Sequence, residues 1–325
     1  MPGERATVAV IVVNWNDTKG SIDCLSSVLA SGYEDLLPIL VDNWSEIDPT
    51  PAVNAAHPTV RVLRVPNGGY AAACNSGAKW ALKHGADFLL LMNNDATLDP
   101  EALSRLVEAS AERPAAILGP LILRADKPDV VWCAGGRITD RWMTNHHLGE
   151  GDSPSEHISP SKVQWTTGCA LFVAADTYRR IGALDEAYFL YLEDTDWCLR
   201  AGRLGVETWI IPGAVVHHRV STSVSRVSPT RRRYYAYRNR YRLALRFAPP
   251  LVRPLIWADI VLTLAKIALR CALSDTYRRD HEYHGRTWGV LDLMRGRWGI
   301  GYLSPEPLRR RGSGLRAVPV REAPL

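Results

Sequence analysis

No part of this chain runs apolar for long. The longest candidate, Leu251 to Leu273, is broken by Arg253, Asp259, Lys266 and Arg270. A charge at the centre of a bilayer is costly, so this segment is expected to lie on or against something and not to span a membrane. The opening run, Thr7 to Val13, is too short for a secretory h-region and meets Asn14, Asn16 and Asp17 directly, which reads as a first β-strand. Cysteine is sparse as well. The six (Cys24, Cys74, Cys133, Cys169, Cys198 and Cys271) include no C-x-x-C pair, excluding a zinc ribbon and a dense disulfide framework and fitting a reducing, cytoplasmic compartment. Also absent are G-x-G-x-x-G, G-x-x-x-x-G-K-[ST] and G-x-S-x-G, which argues against a dinucleotide-dependent dehydrogenase, a P-loop enzyme and an α/β-hydrolase.

What is present is an ordinary globular composition, 46% hydrophobic and 22% charged over 325 residues, enough for one large domain or two small ones. The net charge of +5 conceals an asymmetry. Up to Val215 there are 17 Lys and Arg against 27 Asp and Glu, and beyond it 22 against 7. The acidic first part argues against a nucleic-acid coat. The basic remainder suits anionic partners, small phosphorylated ligands first among them.

Apolar runs at Val8–Val13, Leu36–Val41, Val60–Val65 and Phe88–Met92 alternate with helical spacing at Ser21–Ala30 and Ala71–His84, the pattern of βαβ units in a mostly parallel sheet. Ligands of such sheets bind at the carboxyl ends of the strands. There the polar residues gather: Asn14-Trp15-Asn16, Asp42-Asn43, Asn67-Gly68-Gly69 and Asn93-Asn94-Asp95. The region from Pro114 to Lys162 reads as an irregular insert with short strands around Val130–Cys133. Val206–Ile211 reads as a further strand, and the Arg- and Pro-rich tail from Ser304 reads as disordered.

Asp42 and Asp95 either cap their turns or face the crevice. In the crevice, Asp42 suits a base N–H or ribose hydroxyl. Asp95 suits a divalent cation, Mg²⁺ or Mn²⁺, that offsets the charge of a diphosphate. Glu193, Asp194 and Asp196 crowd a helix start, either as ordinary first-turn acids or, emerging from the apolar stretch Tyr188–Leu192, as a general base with a raised pKa. His217 and His218 are structural or complete a metal shell. The Arg231–Arg246 run is a solvated helix face, or one half packed through its tyrosines with Arg238 or Arg240 free to pair with phosphate.

In order along the chain stand Val-Val-Asn-Trp-Asn (12–16), Val-Asp-Asn-x-Ser (41–45), Asn-x-Gly-Tyr (67–70), Asn-Asn-Asp-Ala (93–96), Tyr-Leu-Glu-Asp-Thr-Asp-Trp-Cys-Leu-Arg (191–200) and Arg-Asn-Arg (238–240). Over residues 7 to 245 the chain thereby resembles glycosyltransferase family 2, in particular its rhamnosyltransferase-like bacterial branch. The resemblance implies a GT-A fold, Rossmann-like α/β with helices flanking a mostly parallel sheet. It also implies inverting, metal-dependent transfer from a dTDP- or UDP-sugar such as dTDP-rhamnose, in polysaccharide or cell-wall assembly. Asp95 and His218 would hold the metal, Asp42 the nucleobase and Asn94 the ribose, with Trp15 beside the base. Asn14, Asn67, Gly69, Asn75 and Arg238 would complete the donor site. Asp194, next to Glu193, would be the general base.

Two departures concern the donor site: Ala71-Ala72-Ala73-Cys74 stand where the family carries further glycines, and Trp44 replaces a small residue. The expected organisation is a transferase domain over 1–245, an amphipathic helical extension over 246–303 and the tail 304–325. The acceptor is expected to be a lipid-linked glycan, with peripheral contact to the inner face of the cell membrane, or a soluble natural product. A nucleotidyltransferase would need a glycine-rich basic loop after the first strand, which is missing. A non-catalytic sugar-nucleotide or membrane-binding protein would not need Asp95 and Asp194.

Overall fold

Strand β1 (Val8–Asn14) is buried along its whole length, because both of its faces are covered. Val8, Val10 and Val12 enter one hydrophobic cluster, whereas Ala9, Ile11 and Val13 enter another on the opposite face, the two-residue period of a strand sandwiched between helical layers. The computed structural model describes residues 6–138, 143–220, 227–274 and 281–301. The expected tail lies outside that set.

β1 pairs in parallel with β2 (Leu36–Asp42) and β4 (Phe88–Asn93), and β2 with β3 (Arg61–Arg64). The register sets Asn14 opposite Asp42 and Val13 opposite Asn93, so the polar tips emerge along one edge. Helices α1 (Thr18–Leu29), α2 (Thr50–Ala56) and α3 (Tyr70–Lys83) make the crossovers. Beyond β4 the sheet turns mixed. After β5 (Ala96–Leu98) and α4 (Ala102–Glu112) come β6 (Ile117–Arg124), β7 (Lys127–Cys133), the small pair β8 (Gly136–Ile138) and β9 (Asn145–His147), and β10 (Ser161–Val163). β11 (Ala170–Ala174) runs antiparallel between β4 and β6, and β12 (Thr208–His218) lies parallel to β6. The flanking helices there are α5 (Ala175–Ile181) and α6 (Glu193–Arg203).

The segment expected as an irregular insert therefore supplies a central strand. Pro120 argues against one, since proline cannot donate to a ladder. β12 accommodates it with a register shift between Ile211 and Val215, right beside Pro120. Ala71-Ala72-Ala73-Cys74, within the run of helical spacing from Ala71 to His84, begin α3, three of the four residues fully buried.

Among the described residues, the basic remainder of the chain forms three α-helices, α7 (Pro229–Phe247), α8 (Arg253–Leu273) and α9 (His281–Met294). Ile256 and Ile260 of α8 and Val290 and Leu293 of α9 pack with Tyr241 and Ala244 of α7 into a separate small core. The α7–α9 approach needs Gly289, where a Cβ would stand 2.4 Å from the Tyr234 carbonyl oxygen. Among the described residues no helix is long and apolar enough to cross a membrane.

Candidate active site

At the carboxyl edge of the sheet lies a cavity of about 400 Å³. Eight of the residues expected in the site line it: Trp15, Asn67, Gly69, Asn94, Asp95, Glu193, Asp194 and His218. Asn94 is fixed from behind, donating Nδ2 to Ser21 Oγ at 3.0 Å and to the Asp17 carbonyl at 3.2 Å. Asp95, at the tip beyond β4, faces His218 at the end of β12, with Nε2 3.2 Å from Oδ1. Gly69 allows the loop before α3 to touch the far wall. Its φ is +91°, and a Cβ there would stand 2.1 Å from the Phe189 carbonyl oxygen, which accepts from Tyr70 N–H at 2.8 Å.

The acidic pair sits in the first turn of α6. The chain enters that helix through Phe189, Tyr191 and Leu192, all at positive φ, an arrangement that side chains resist unless the surroundings impose it. Here α7 imposes it. Asn239 Nδ2 lies 2.9, 2.7 and 2.9 Å from the carbonyls of Tyr188, Leu190 and Tyr191.

Asp194 is aimed by N–H donors: Gly168 N reaches Oδ2 at 2.7 Å and Thr195 N reaches Oδ1 at 2.6 Å. Burial nevertheless pushes its carboxyl above the usual range. Glu193 is pushed further, to about 8, by burial first and the neighbouring Asp194 charge second. Its Oε2 is buried without a hydrogen-bond partner. Two adjacent carboxyls in one wall thus share a proton at neutral pH, and the environment places it on Glu193.

Four expected site residues are not part of the cavity wall. Asp42 is fully buried, accepting from Asn14 Nδ2 at 2.8 Å, Ser45 N at 3.2 Å and Arg64 Nε at 3.1 Å. Asn14 is the hub behind the wall, its Oδ1 accepting from Ser21 Oγ at 2.8 Å. Asn75, one turn into α3, binds the Leu184 carbonyl and accepts from Leu184 N, both at 3.0 Å. Arg238 is fully buried and donates to the carbonyls of Gly299, Ala187 and Tyr188. Its guanidinium is consumed by backbone, which corrects the expectation that it pairs with phosphate. Arg231, one α7 turn from the cap Ser228, lines the cavity in its stead. Asp196, the third acid of that helix start, is also fully buried, held by Arg200 Nε and Arg246 Nη1, each at 2.8 Å. Trp44 points to solvent, 51% exposed.

Other cavity residues had no role assigned to them in the sequence. Asn43 lines the cavity beside buried Asp42, and its Oδ1 is buried without a partner, an acceptor suited to a base N–H. Trp132, His147 and Trp165 form an aromatic wall. The His147 ring stands edge-on to Trp132, centroids 4.8 Å apart, and 5.4 Å from Trp165. Trp132 and His147 come from the region read as an irregular insert, and Trp165 from just beyond it. A Trp in each of two short apolar runs was the signal available, and neither run has a diagnostic spacing.

The residues fit a divalent cation. Asp95 offers a hard oxygen and His218 an imidazole whose Nδ1 is buried without a hydrogen-bond partner. Among the described residues no three His, Cys, Asp or Glu side chains cluster closely enough to hold an ion by themselves. The remaining ligands would come from a phosphorylated substrate and water, the usual habit of Mg²⁺.

A parallel half-sheet with acidic tips, a carboxylate–histidine pair and a second carboxylate pair around one cavity are the parts of a glycosyltransferase of GT-A fold. Residues 9–150 match Glycosyl transferase family 2, and residues 88–306 match Glycosyl transferase family group 2. The chain belongs to glycosyltransferase family 2 and is a glycosyltransferase, similar to rhamnosyltransferases.

It is 23% identical over 306 residues to the dTDP-rhamnosyl transferase RfbF of Shigella flexneri, covering 91% of this chain and 98% of that protein. It is 28% identical over 226 residues to the N-acetylglucosaminyl-diphospho-decaprenol L-rhamnosyltransferase of Mycobacterium tuberculosis, covering 61% and 72% respectively. Among solved structures it is similar in fold to the mannosyltransferase PcManGT of Pyrobaculum calidifontis in complex with GDP-Man and Mn²⁺ (TM-score 0.53, 17% identity, 91% of this chain and 88% of that one). GalNAc-T7 with UDP, GalNAc and Mn²⁺ also superposes (TM-score 0.56, 14% identity), covering 78% of this chain and 54% of that one.

Proposed function

We propose that this enzyme transfers rhamnose, or a closely related hexose, from a dTDP- or UDP-sugar to a hydroxyl of a polyprenyl-linked glycan. Configuration inverts, a divalent metal is required and Asp194 is the general base. The observation that carries the reading is that Asp95, His218 and Asp194 open onto one cavity. The sugar and the lipid-linked acceptor follow from the names of the relatives. An enzyme with such an acceptor works at the inner face of the cell membrane without needing to span it.

Asp194, held by Gly168 and Thr195, takes the acceptor hydroxyl proton as that oxygen attacks the anomeric carbon from the face opposite the diphosphate. The new glycosidic bond forms as the bond to the diphosphate oxygen breaks, with no covalent enzyme intermediate. Glu193, keeping its proton, spares Asp194 a like charge beside it. A bound Mg²⁺ or Mn²⁺ would neutralise the departing diphosphate. Asp95 and His218 would hold the cation, Arg231 would face the same charge, and Asn43 and Trp15 would take the base.

The test is transfer from dTDP-rhamnose, with UDP-sugars alongside, to a synthetic polyprenyl-diphosphate N-acetylglucosamine, with product stereochemistry read by NMR. Asp194→Asn should lower kcat by about 10²–10⁴-fold while nucleotide-dependent thermal stabilisation persists. Full turnover by that variant overturns the base assignment. Transfer only to soluble acceptors overturns the lipid-linked acceptor.

A further inference from the structure

Helix α8 has an apolar side that nothing in the described structure covers. Ile256 and Ile260 point into the small core shared with α7 and α9, and Ile267, two turns on along the same side, is buried as well. Across the helix, at the spacing of one face, Leu255, Trp257, Val261, Leu262, Leu269 and Leu273 are between 43% and 78% exposed. Exposed alanines 258, 265, 268 and 272 fill the gaps between them, and no charged residue interrupts that arc. The charges stand at its margins. Arg253, Lys266 and Arg270 are all exposed. The helix's single acid, Asp259, is turned towards α7, where it accepts from Tyr241 Oη at 2.8 Å. A soluble monomer rarely exposes a continuous apolar stripe of this length.

We infer that this face of α8 docks on an anionic phospholipid bilayer, lying in the interface with its apolar arc among the acyl chains and its basic margins at the headgroups. The inference deepens the proposed function, since it rests on a lipid-linked acceptor for its purpose. The charge pattern selects this occupant. A second copy of the chain would bring basic margin to basic margin, and the tail beyond the described residues, with its Arg309-Arg310-Arg311 run, is too polar to cover an apolar face. An anionic surface satisfies both the arc and its rim, and Trp257 is the side chain suited to the boundary. α8 is also tied to the catalytic wall. It packs on α7, whose Asn239 holds the 188–191 turn that enters the acid-bearing helix. A bilayer under α8 therefore holds the cavity at a fixed height above the lipid.

The full-length protein is sedimented with vesicles of phosphatidylcholine containing about 30% phosphatidylglycerol, and with vesicles of phosphatidylcholine alone. The proposal expects partition into the anionic vesicles at least about tenfold stronger than into neutral ones, weakening with salt. It also expects loss of binding in Leu262→Glu/Leu269→Glu. Both positions are exposed, so the fold survives, checked by melting temperature and by stabilisation with dTDP and Mn²⁺. That nucleotide readout stays intact whether or not vesicles bind, so failure here is distinguishable from failure of the transferase reading. Three results overturn the inference: no partition into either vesicle, binding unchanged in the double variant, or a dimer in light scattering that the double variant converts to monomer.

Discussion

Asn239 donates its side-chain amide to the carbonyl of Leu190 at 2.7 Å, from a position where it is fully buried. Without such a donor, the carbonyls of Leu190 and Tyr191 lose their side-chain partner in a turn at positive φ, whereas that of Tyr188 keeps Arg238 Nη2. Asn239→Leu, close in size, should therefore cost about 1–3 kcal/mol, measurable by denaturant unfolding. It should also lower kcat by more than tenfold as Asp194 loses its placement. Donor nucleotide affinity should stay near wild type, because Trp15, Asn43 and Asp95 are carried by other elements.

Gly69 makes the complementary contact from the donor side. Its φ of +91° and ψ of 179° fall in a region essentially reserved for glycine. Gly69→Ala should destabilise the protein by about 1–3 kcal/mol and separate the Tyr70 N–H from the Phe189 carbonyl. Calorimetric titration with dTDP and Mn²⁺ should show affinity falling more than kcat, the reverse of the Asn239 variant.

The parts of the fold legible in the sequence were those where local pattern and tertiary role agree. β1, β2 and β4 are apolar runs buried on both faces, and their polar tips fall where the parallel register must put them. β6 was not legible because Gly119 and Pro120 deny it locally and only the bulge in β12 makes room. In the site, Asp95 could be named because it follows the tip of a strand, whereas only the family resemblance separated Asp194 from Glu193 and Asp196, and His218 from His217. Arg238 could not be placed, since nothing in an Arg-Asn-Arg run tells whether guanidinium meets phosphate or backbone carbonyls. The aromatic wall of Trp132, His147 and Trp165 depends on contacts between β7, β9 and the turn before β11, separations that no periodicity encodes.

Glu193 makes stability depend on pH. Its folded pKa of about 8 exceeds the ordinary value of 4.5, so between those values the folded state binds more protons than the unfolded one. Stability should be greatest near and below pH 4.5 as far as this group is concerned. It should fall as pH rises through 8, with a slope of at most about 1.4 kcal/mol per pH unit. Glu193→Gln, neutral at every pH, should remove that slope and melt higher than wild type at pH 9. For Asp194, also raised, the acidic limb of the kcat profile should lie above the ordinary carboxylate range.

Two aspartates at the polar tips of β2 and β4, the strands on either side of β1, invite the same mutation and should answer it differently. Asp42 is bonded to Asn14, Ser45 and Arg64, so Asp42→Asn leaves buried donors mismatched. It should lower stability by about 1–3 kcal/mol while the metal requirement is unchanged. Asp95 opens onto the cavity beside His218, so Asp95→Asn removes the hard anionic ligand from a place where the substrate supplies the rest. The melting temperature without ligand should hardly move. The extra stabilisation that Mn²⁺ confers on the dTDP complex of wild type, abolished by a chelator, should be absent from this variant, and turnover should fall at least about 100-fold. A metal-dependent shift surviving in Asp95→Asn but lost in Asp42→Asn would reverse the two roles and place the cation at the tip of β2.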